Sequence, residues 1–256
     1  MQSLNNTIFI GKVFIALPVL ASTNLYASEL LRQKPAPIHG TVIFSSGQYE
    51  GRGQRGNSWY SENGKNIALS IILYPRQLSI GQQFYLSMAI ALGVCRFLQN
   101  ELNDLDVKIK WPNDLFVGDK KMGGILIENT LSGNSLLASV VGIGLNINQT
   151  HFPDLPFATS YKLLTGKELD LMEAVQKLCC YVEAAYFLLK PDKLADLKRQ
   201  YLQSLYHYGD FRRFKRVADD CLFDARITDV LENGRLLLTL TDATTLSFDI
   251  KELVWV

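Results

Sequence analysis

At 256 residues, with 48% hydrophobic and 20% charged side chains, the chain has the composition of an ordinary soluble globular protein able to bury a sizeable core. Its formal net charge of +1 excludes a global field pointing to nucleic acid or an anionic membrane, so any anion site must be local. No apolar run reaches the roughly 18 residues of a membrane span. The four cysteines (Cys95, Cys179, Cys180, Cys221) show no CxxC or Cys/His ligand spacing, and they read as reduced, mostly buried thiols of a cytoplasmic protein.

In chain order, Ile8 to Ala21 has the apolarity of a signal-peptide core. Lys12 and Pro18 interrupt it and no basic residue precedes it, so it reads as an N-terminal strand and loop. Asn24 to Gln33 predicts a short helix, Thr41 to Ser45 a strand, Gly47 to Gly56 a glycine- and arginine-rich loop, and Asn66 to Tyr74 a strongly apolar strand. Ser79 to Leu102 is the clearest helix. Phe84, Met88, Ala91, Cys95, Leu98 and Leu102 recur at helical spacing behind a Ser79 N-cap, the pattern of a core-facing helix. Val107 to Lys110 predicts a strand and Pro112 a loop. Leu115 to Val117 and Met122 to Glu128 form a hairpin pattern around Gly118-Asp119-Lys120, and Leu136 to Asn148 is a long strand.

Helical stretches follow at Phe157 to Leu164, Asp170 to Leu189 and Asp192 to Tyr206. After Tyr208 come short strands, Phe211 to Val217, Leu222 to Val230, Arg235 to Leu240 and Thr245 to Ile250, with Asn233-Gly234 as a hairpin signal. They predict a small β-barrel of about 50 residues, near the lower limit of independent stability. The expected division is 1–207 and 208–256.

Three segments carry chemistry. In Gly47-Gln48-Tyr49-Glu50-Gly51-Arg52-Gly53-Gln54-Arg55-Gly56-Asn57-Ser58-Trp59, the glycines free the backbone to face an anion and the arginines add forked cations, while Trp59 can stack on a base. A solvated loop would have the same composition, and no Walker A lysine follows. In Lys110-Trp111-Pro112-Asn113-Asp114 with Lys120-Lys121-Met122-Gly123-Gly124-Ile125-Leu126, Asp114 could hold magnesium and Lys110 or Lys121 could neutralise phosphate. The plainer readings are a solvated hairpin tip for Lys120-Lys121 and a core or edge aromatic for Trp111. Gly142-Ile143-Gly144-Leu145-Asn146 places glycines and an amide at a strand end, where they could read a base edge. A bulge is the commoner meaning.

Together, GRGQRGNSW, KWPND, KMGGIL and GIGLN, with Ser22-Thr23-Asn24 ahead of them, resemble the biotin–protein ligase family in order and spacing. The resemblance runs from about Ser22 to Asn148 and continues weakly to the C-terminus. It implies an α+β fold: a mixed β-sheet flanked by helices, like the catalytic core of class II aminoacyl-tRNA synthetases, followed by an SH3-like barrel. It implies ATP and biotin as substrates, with Mg2+.

By resemblance, Ser22, Thr23 and Gln48 contact the polar ring of biotin. Gly51, Arg52 and Arg55 belong to a loop that orders over the ligand, with Arg52 on the carboxylate and the adenylate phosphate. Backbone at Gly123, Gly124 and Leu126 lines the biotin pocket. Lys121 stands near the reacting carbonyl and phosphate, Trp59 and Asn146 beside the adenine, and Asn113 and Asp114 near phosphates and metal. Arg52 and Lys121 are the expected catalytic residues and Asp114 the expected metal ligand.

The implied acceptor is a lysine of a biotin carboxyl carrier protein or carboxylase biotin domain. Gln54 departs from a position that is often basic, and Asn57-Ser58 are neutral where some members are charged, so the loop is less cationic. The chain begins almost at the catalytic region, which predicts no operator-DNA binding. Family members often dimerise, and the sequence leaves a homodimer open. A lipoate–protein ligase would share the fold, but the KWPND and GRGxRG combination argues against it. A non-catalytic biotin or adenylate sensor is opposed by the presence of Arg52, Asp114 and Lys121. The C-terminal barrel, alternatively an interaction module, is expected to cover the active site or to help dock the carrier.

Overall fold

The computed structural model describes residues 3–4, 6–103, 105–133 and 135–256, and for Arg55 the backbone alone. Its main layer is a seven-stranded mixed sheet of order β1-β2-β3-β7-β6-β5-β4. The strands are β1 (Phe14–Leu20), β2 (Thr41–Gln48), β3 (Ile67–Leu73), β4 (Val107–Lys110), β5 (Asp114–Val117), β6 (Lys120–Ser132) and β7 (Ser135–Leu145). Only the β1–β2 pair is parallel; each other neighbouring pair is antiparallel. Every residue of β3 is buried, as its unbroken apolar run requires of a strand covered on both faces.

Helices cover the two faces unequally. On one face lie α2 (Gln83–Leu102) and, packed against it, α4 (Leu171–Tyr186) and α5 (Leu194–Gln203). The expected apolar stripe of α2 is buried along its whole length, from Phe84 to Leu102. Gln82 Oε1 accepts from the Ser79 backbone N–H, so the serine opens a 3-10 turn from which α2 continues. Among the described residues, the opposite face carries the short α1 (Thr23–Leu30), whose Ala27 packs on Ile43, Ile72 and Val140. The arginine-rich loop and the Pro112–Asp114 turn border the rest of that face.

The C-terminal sheet has order β11-β10-β9-β8-β12, with β8 (Phe211–Arg216), β9 (Leu222–Val230), β10 (Leu236–Leu240), β11 (Thr245–Phe248) and β12 (Leu253–Trp255). It has the antiparallel make-up of an SH3-like barrel, but among the described residues its edge strands β11 and β12 are not paired to each other. Its buried Phe214, Ile227, Leu236 and Leu238 join the same apolar cluster as α2 and the main sheet, which compensates for its small size.

Three expectations need adjustment. β2 extends to Gln48 and takes Gly47 and Gln48 out of the loop, and β12 had no sequence signal. The helix expected over Phe157 to Leu164 is confined to α3 (Tyr161–Thr165). The backbone of Phe157 and Thr159 is instead taken up by Lys121, whose N–H donates to Phe157 O and whose carbonyl accepts from Thr159 N–H. An edge ladder thus overrides an apolar spacing that reads as helical.

Candidate active site

The floor of the open face follows from register. Directly opposed residues of an antiparallel ladder point to the same side of the sheet. Ser70, Gly142 and Leu126 therefore form one row, and Ala68, Gly144, Gly124 and Asp114 the next. Glycines at Gly142 and Gly144 make the floor of β7 low enough for other groups to lie on it. A Cβ at Gly142 would stand 2.4 Å from Asn24 Oδ1, and one at Gly144 2.6 Å from the Trp59 indole. Over these rows lies a cavity of about 240 Å³, walled by α1, the arginine loop and the Pro112–Asp114 turn.

One end is a chain of polar groups. Gln48 Oε1 accepts from the Thr23 backbone N–H (2.7 Å) and hydroxyl (3.1 Å). The Ser70 hydroxyl lies 2.8 Å from Thr23 Oγ1 and donates to Asn24 Oδ1 at 2.6 Å. Asn24 Nδ2 donates to Glu128 Oε2 at 2.8 Å, and Glu128 Oε1 in turn pairs with the Arg52 guanidinium at 3.5 Å. Thr23, Asn24 and Ser70 are buried, so their mutual satisfaction is a condition of folding as well as a shape for a polar ligand.

The other end is cationic and aromatic. Lys121 Nζ is 2.7 Å from Asp114 Oδ1 and 6.0 Å from the Trp59 ring centroid. Asn113 ties its turn to β6: its Nδ2 donates to Ile125 O at 2.6 Å and its carbonyl accepts from Ile125 N–H at 2.9 Å. Among the described residues, Trp59 Nε1, lying against Gly144, and Asn146 Oδ1, just past β7 and behind the cavity lining, are buried without a hydrogen-bond partner. Asn146 Nδ2 donates to Thr159 O at 3.0 Å, which orients the amide with its acceptor unused.

Of the residues singled out from sequence, Ser22, Thr23, Gln48, Arg52, Trp59, Asn113, Asp114, Lys121, Gly124 and Leu126 all line this one cavity. Gly51, Gly123 and Asn146 do not. A Cβ on Gly51 would meet Trp59 O at 2.3 Å, so Gly51 closes the loop onto its own far strand, where Arg52 bridges Ser58. Gly123 packs away from the cavity against Leu145 and Gly144. Asn146 is buried just past β7. The side chain of Arg55 lies outside the described residues. Lys110, considered for phosphate, does not line the cavity. Its ammonium lies over the rings of Phe116, Trp255 and Tyr206, and burial holds its pKa below the usual lysine value.

Comparison with known proteins bears on this geometry. The sequence model of the Biotin/lipoate A/B protein ligase family matches residues 16–146, which contain every strand of the cavity floor. The chain belongs to that family. Over 180 residues it is 32% identical to the bifunctional ligase/repressor BirA of Bacillus subtilis, a match covering 69% of this chain and 54% of the relative. It is 28% identical over 146 residues to the human biotin–protein ligase, covering 56% of this chain and 20% of that one. The chain spans about half the length of the BirA relatives it matches.

Among solved structures, the Aquifex aeolicus biotin protein ligase in complex with biotin and ATP superposes with a TM-score of 0.76 at 24% identity, over 95% of this chain and 98% of the other. The Leishmania major biotin protein ligase in complex with biotinyl-5-AMP gives 0.62 at 19% identity, over 93% and 99%. Both likenesses cover nearly the whole chain and share the fold of a mixed sheet flanked by helices.

Sequence reading passed over Asn24, Ser70 and Glu128 as site residues. The signal for Glu128 was present: Gly124, Leu126 and Glu128 alternate along one strand and so share a face. Ile250 and Lys251, also on the cavity wall, had no such signal, because they come from a turn between strands of the second sheet.

Proposed function

We propose that the protein is a biotin–protein ligase that activates biotin with ATP, forming biotinyl-5'-AMP and pyrophosphate, and then transfers biotin to a lysine of a biotin carboxyl carrier protein or carboxylase biotin domain. The observation that carries this reading is the division of one cavity between a polar chain ending at Arg52 and a cationic and aromatic end formed by Lys121, Asp114 and Trp59. A ligand with a polar ring at one end and a purine at the other meets both.

In the first step the biotin carboxylate attacks the α-phosphorus and pyrophosphate leaves. Negative charge grows on the phosphate oxygens between Arg52 and Lys121, whose fixed cations stabilise it more than they stabilise the ground state. Arg52 exchanges Glu128 for the ligand anion, and Lys121 shares its charge between Asp114 and phosphate. In the second step the acceptor amine attacks the mixed anhydride and AMP departs. Positioning by the Ser22–Thr23–Gln48 wall and by Trp59 accounts for the remainder.

Magnesium would be held by Asp114 together with phosphate oxygens of the nucleotide, as a hard cation with few protein ligands is, and it would supply charge neutralisation. Among the described residues no three His, Cys, Asp or Glu side chains cluster as a ready-made site, so the donor set fits a metal that arrives with ATP. Within this reading, 1–207 is the catalytic domain and 208–256 the C-terminal domain, and the protein works in the cytoplasm. No helix among the described residues is long and apolar enough to cross a membrane.

The test is biotin-dependent exchange of labelled pyrophosphate into ATP, with lipoate in parallel and an Arg52→Ala variant as control. Exchange with biotin alone, lost in the variant, is expected. Exchange with lipoate instead would move the protein to the lipoate ligases, and no exchange with either would end the catalytic reading.

A further inference from the structure

β3 and β7 pair side by side from Leu73 and Ser139 down to Ile67 and Leu145. Beyond that last pair the two segments part like a fork. One runs back through Asn66 to Trp59 and the arginine loop, and the other runs on through Asn146 to Phe157 and Thr159. Each prong leads to one of the two cations of the site. Trp59 N–H donates to Gly51 O at 2.8 Å and Arg52 bridges Ser58, so the first prong supports Arg52. Phe157 O and Thr159 N–H bracket the backbone of Lys121 at 2.7 and 2.8 Å, so the second prong supports Lys121.

Three buried carboxamides fill the fork. Gln149 has no exposed surface. Its Oε1 accepts from the Glu62 backbone N–H at 3.0 Å and from Asn66 Nδ2, and its Nε2 donates to His151 O at 2.6 Å. Asn66, also buried, accepts through Oδ1 from Ile147 N–H at 3.0 Å, and its Nδ2 also donates to Ser61 Oγ at 3.0 Å. Asn148 N–H donates to Lys65 O at 2.7 Å, while its side chain exchanges two hydrogen bonds with the backbone of Leu169. The bonds from Gln149 to Glu62 and Asn66, and from Ile147 to Asn66, cross from one prong to the other. An apolar side chain of the same volume would fill the fork without fixing one prong against the other, whereas a fully satisfied polar network specifies a single arrangement.

We infer that Gln149 and Asn66 are positioning residues that hold the two prongs at a fixed separation and so set Arg52 and Lys121 across one phosphate. The inference rests on the ligase reading for what the two cations do. Neither amide lines the cavity, so their effect on the reaction passes through the prongs. Thr23 and Asn24 stand on α1 and Gln48 on β2, away from this clasp. Loosening the fork should therefore slow the chemical step and spare biotin binding, because the charge that grows on phosphate needs both cations in register.

The experiment uses the full chain. Gln149→Met keeps the length of the side chain and removes both polar ends. Asn66→Ala removes its partner, and the double variant closes the cycle. Biotin-dependent pyrophosphate exchange gives kcat and KM, and the calorimetric biotin stoichiometry counts the folded chains to which kcat is referred. Amide hydrogen exchange is followed by mass spectrometry in peptides covering 59–66, 119–124 and 22–31. For Gln149→Met we expect kcat to fall about tenfold, less than the hundredfold that a 1 Å misplacement can cost. KM for biotin should stay within about twofold. The double variant should be no slower than the slower single one, since both break one clasp. Protection should fall together in 59–66 and 119–124 and hold in 22–31.

An unchanged kcat per folded chain in Gln149→Met would overturn the inference. So would a loss of exchange fully accounted for by fewer biotin-binding chains, which is what a merely structural role gives. Loosening of 59–66 with 119–124 unaltered would show that the prongs are not coupled and would overturn it as well. Should Gln149→Met fail to fold, Gln149→Asn, one methylene shorter, decides by the same readouts. Should the unmodified chain show no exchange, the ligase reading falls, and the hydrogen exchange of the variants still tests the linkage.

Discussion

The two ends of the cavity are built on the same sheet but differ in how they are satisfied. At the Thr23–Asn24 end the polar side chains lie within hydrogen-bonding distance of one another from Gln48 through Thr23 and Ser70 to Asn24, which donates to Glu128, the partner of Arg52. At the Lys121 end the wall is charged and aromatic, with Lys121 paired to Asp114 beside the Trp59 ring. The first end is closed by the protein's own hydrogen bonds and so is formed before any ligand arrives. The second presents an ion pair to the cavity, Lys121 with Asp114, whose charges are free to be shared with a further group.

The largest expected effect separates chemistry from binding. Lys121→Ala should lower the exchange rate by about 100-fold or more, the scale of losing a charge-stabilising group. Biotin affinity measured by calorimetry should be nearly unmoved. A parallel loss of biotin affinity would show that the two ends are not independent.

The paired glycines sharpen the contrast. Gly142→Ala drives a methyl into Asn24 and Gly144→Ala drives one into Trp59. Each should cost about 1–3 kcal/mol in urea unfolding, as overpacking of a tight site does. The functional losses should segregate, with biotin affinity falling in the first and ATP affinity in the second. If both variants lose the same ligand, the division is wrong.

Next in size is Asn146→Ala. Freeing Thr159 O, which Asn146 Nδ2 ties down beside the Lys121 backbone, should raise KM for ATP about tenfold and leave that for biotin alone. An unchanged KM for ATP would show that the Thr159 segment does not hold Lys121 in place. The smallest effect is expected of Glu128→Gln. The Arg52–Glu128 pair is substantially exposed, so its loss should change stability by at most about 1 kcal/mol. Releasing Arg52 from its partner should tighten rather than weaken the ligand anion, and weaker anion binding would mean that Glu128 holds Arg52 in its working position.

Much of this was legible in the chain because it is local. The 3.6-residue stripe from Phe84 to Leu102 follows from one helix packing on one sheet. The alternation in β6 and the glycines of β7 follow from side chains that switch faces at each residue. The motif order placed ten candidate residues on one cavity wall. What escaped was set by partners distant in sequence. Asn24 and Ser70 are unremarkable until the fold stacks α1 on β3. Phe157 belongs to a helical spacing until Lys121 recruits its carbonyl, and the short β12 has too few residues to show a period.

By itself the sequence determined the strands and helices, the family, and the residue types that meet at the site, since backbone preference and apolar period are written residue by residue. Only the tertiary structure decided that Lys110 and Trp111 turn away from the ligand toward the second sheet. It also decided that Gly123 faces packing while Gly124 faces the cavity, and that Ile250 and Lys251 complete a wall more than a hundred residues from the rest. The physical reason is that register, sheet order and domain seating arise from contacts between segments whose separation along the chain carries no local signal.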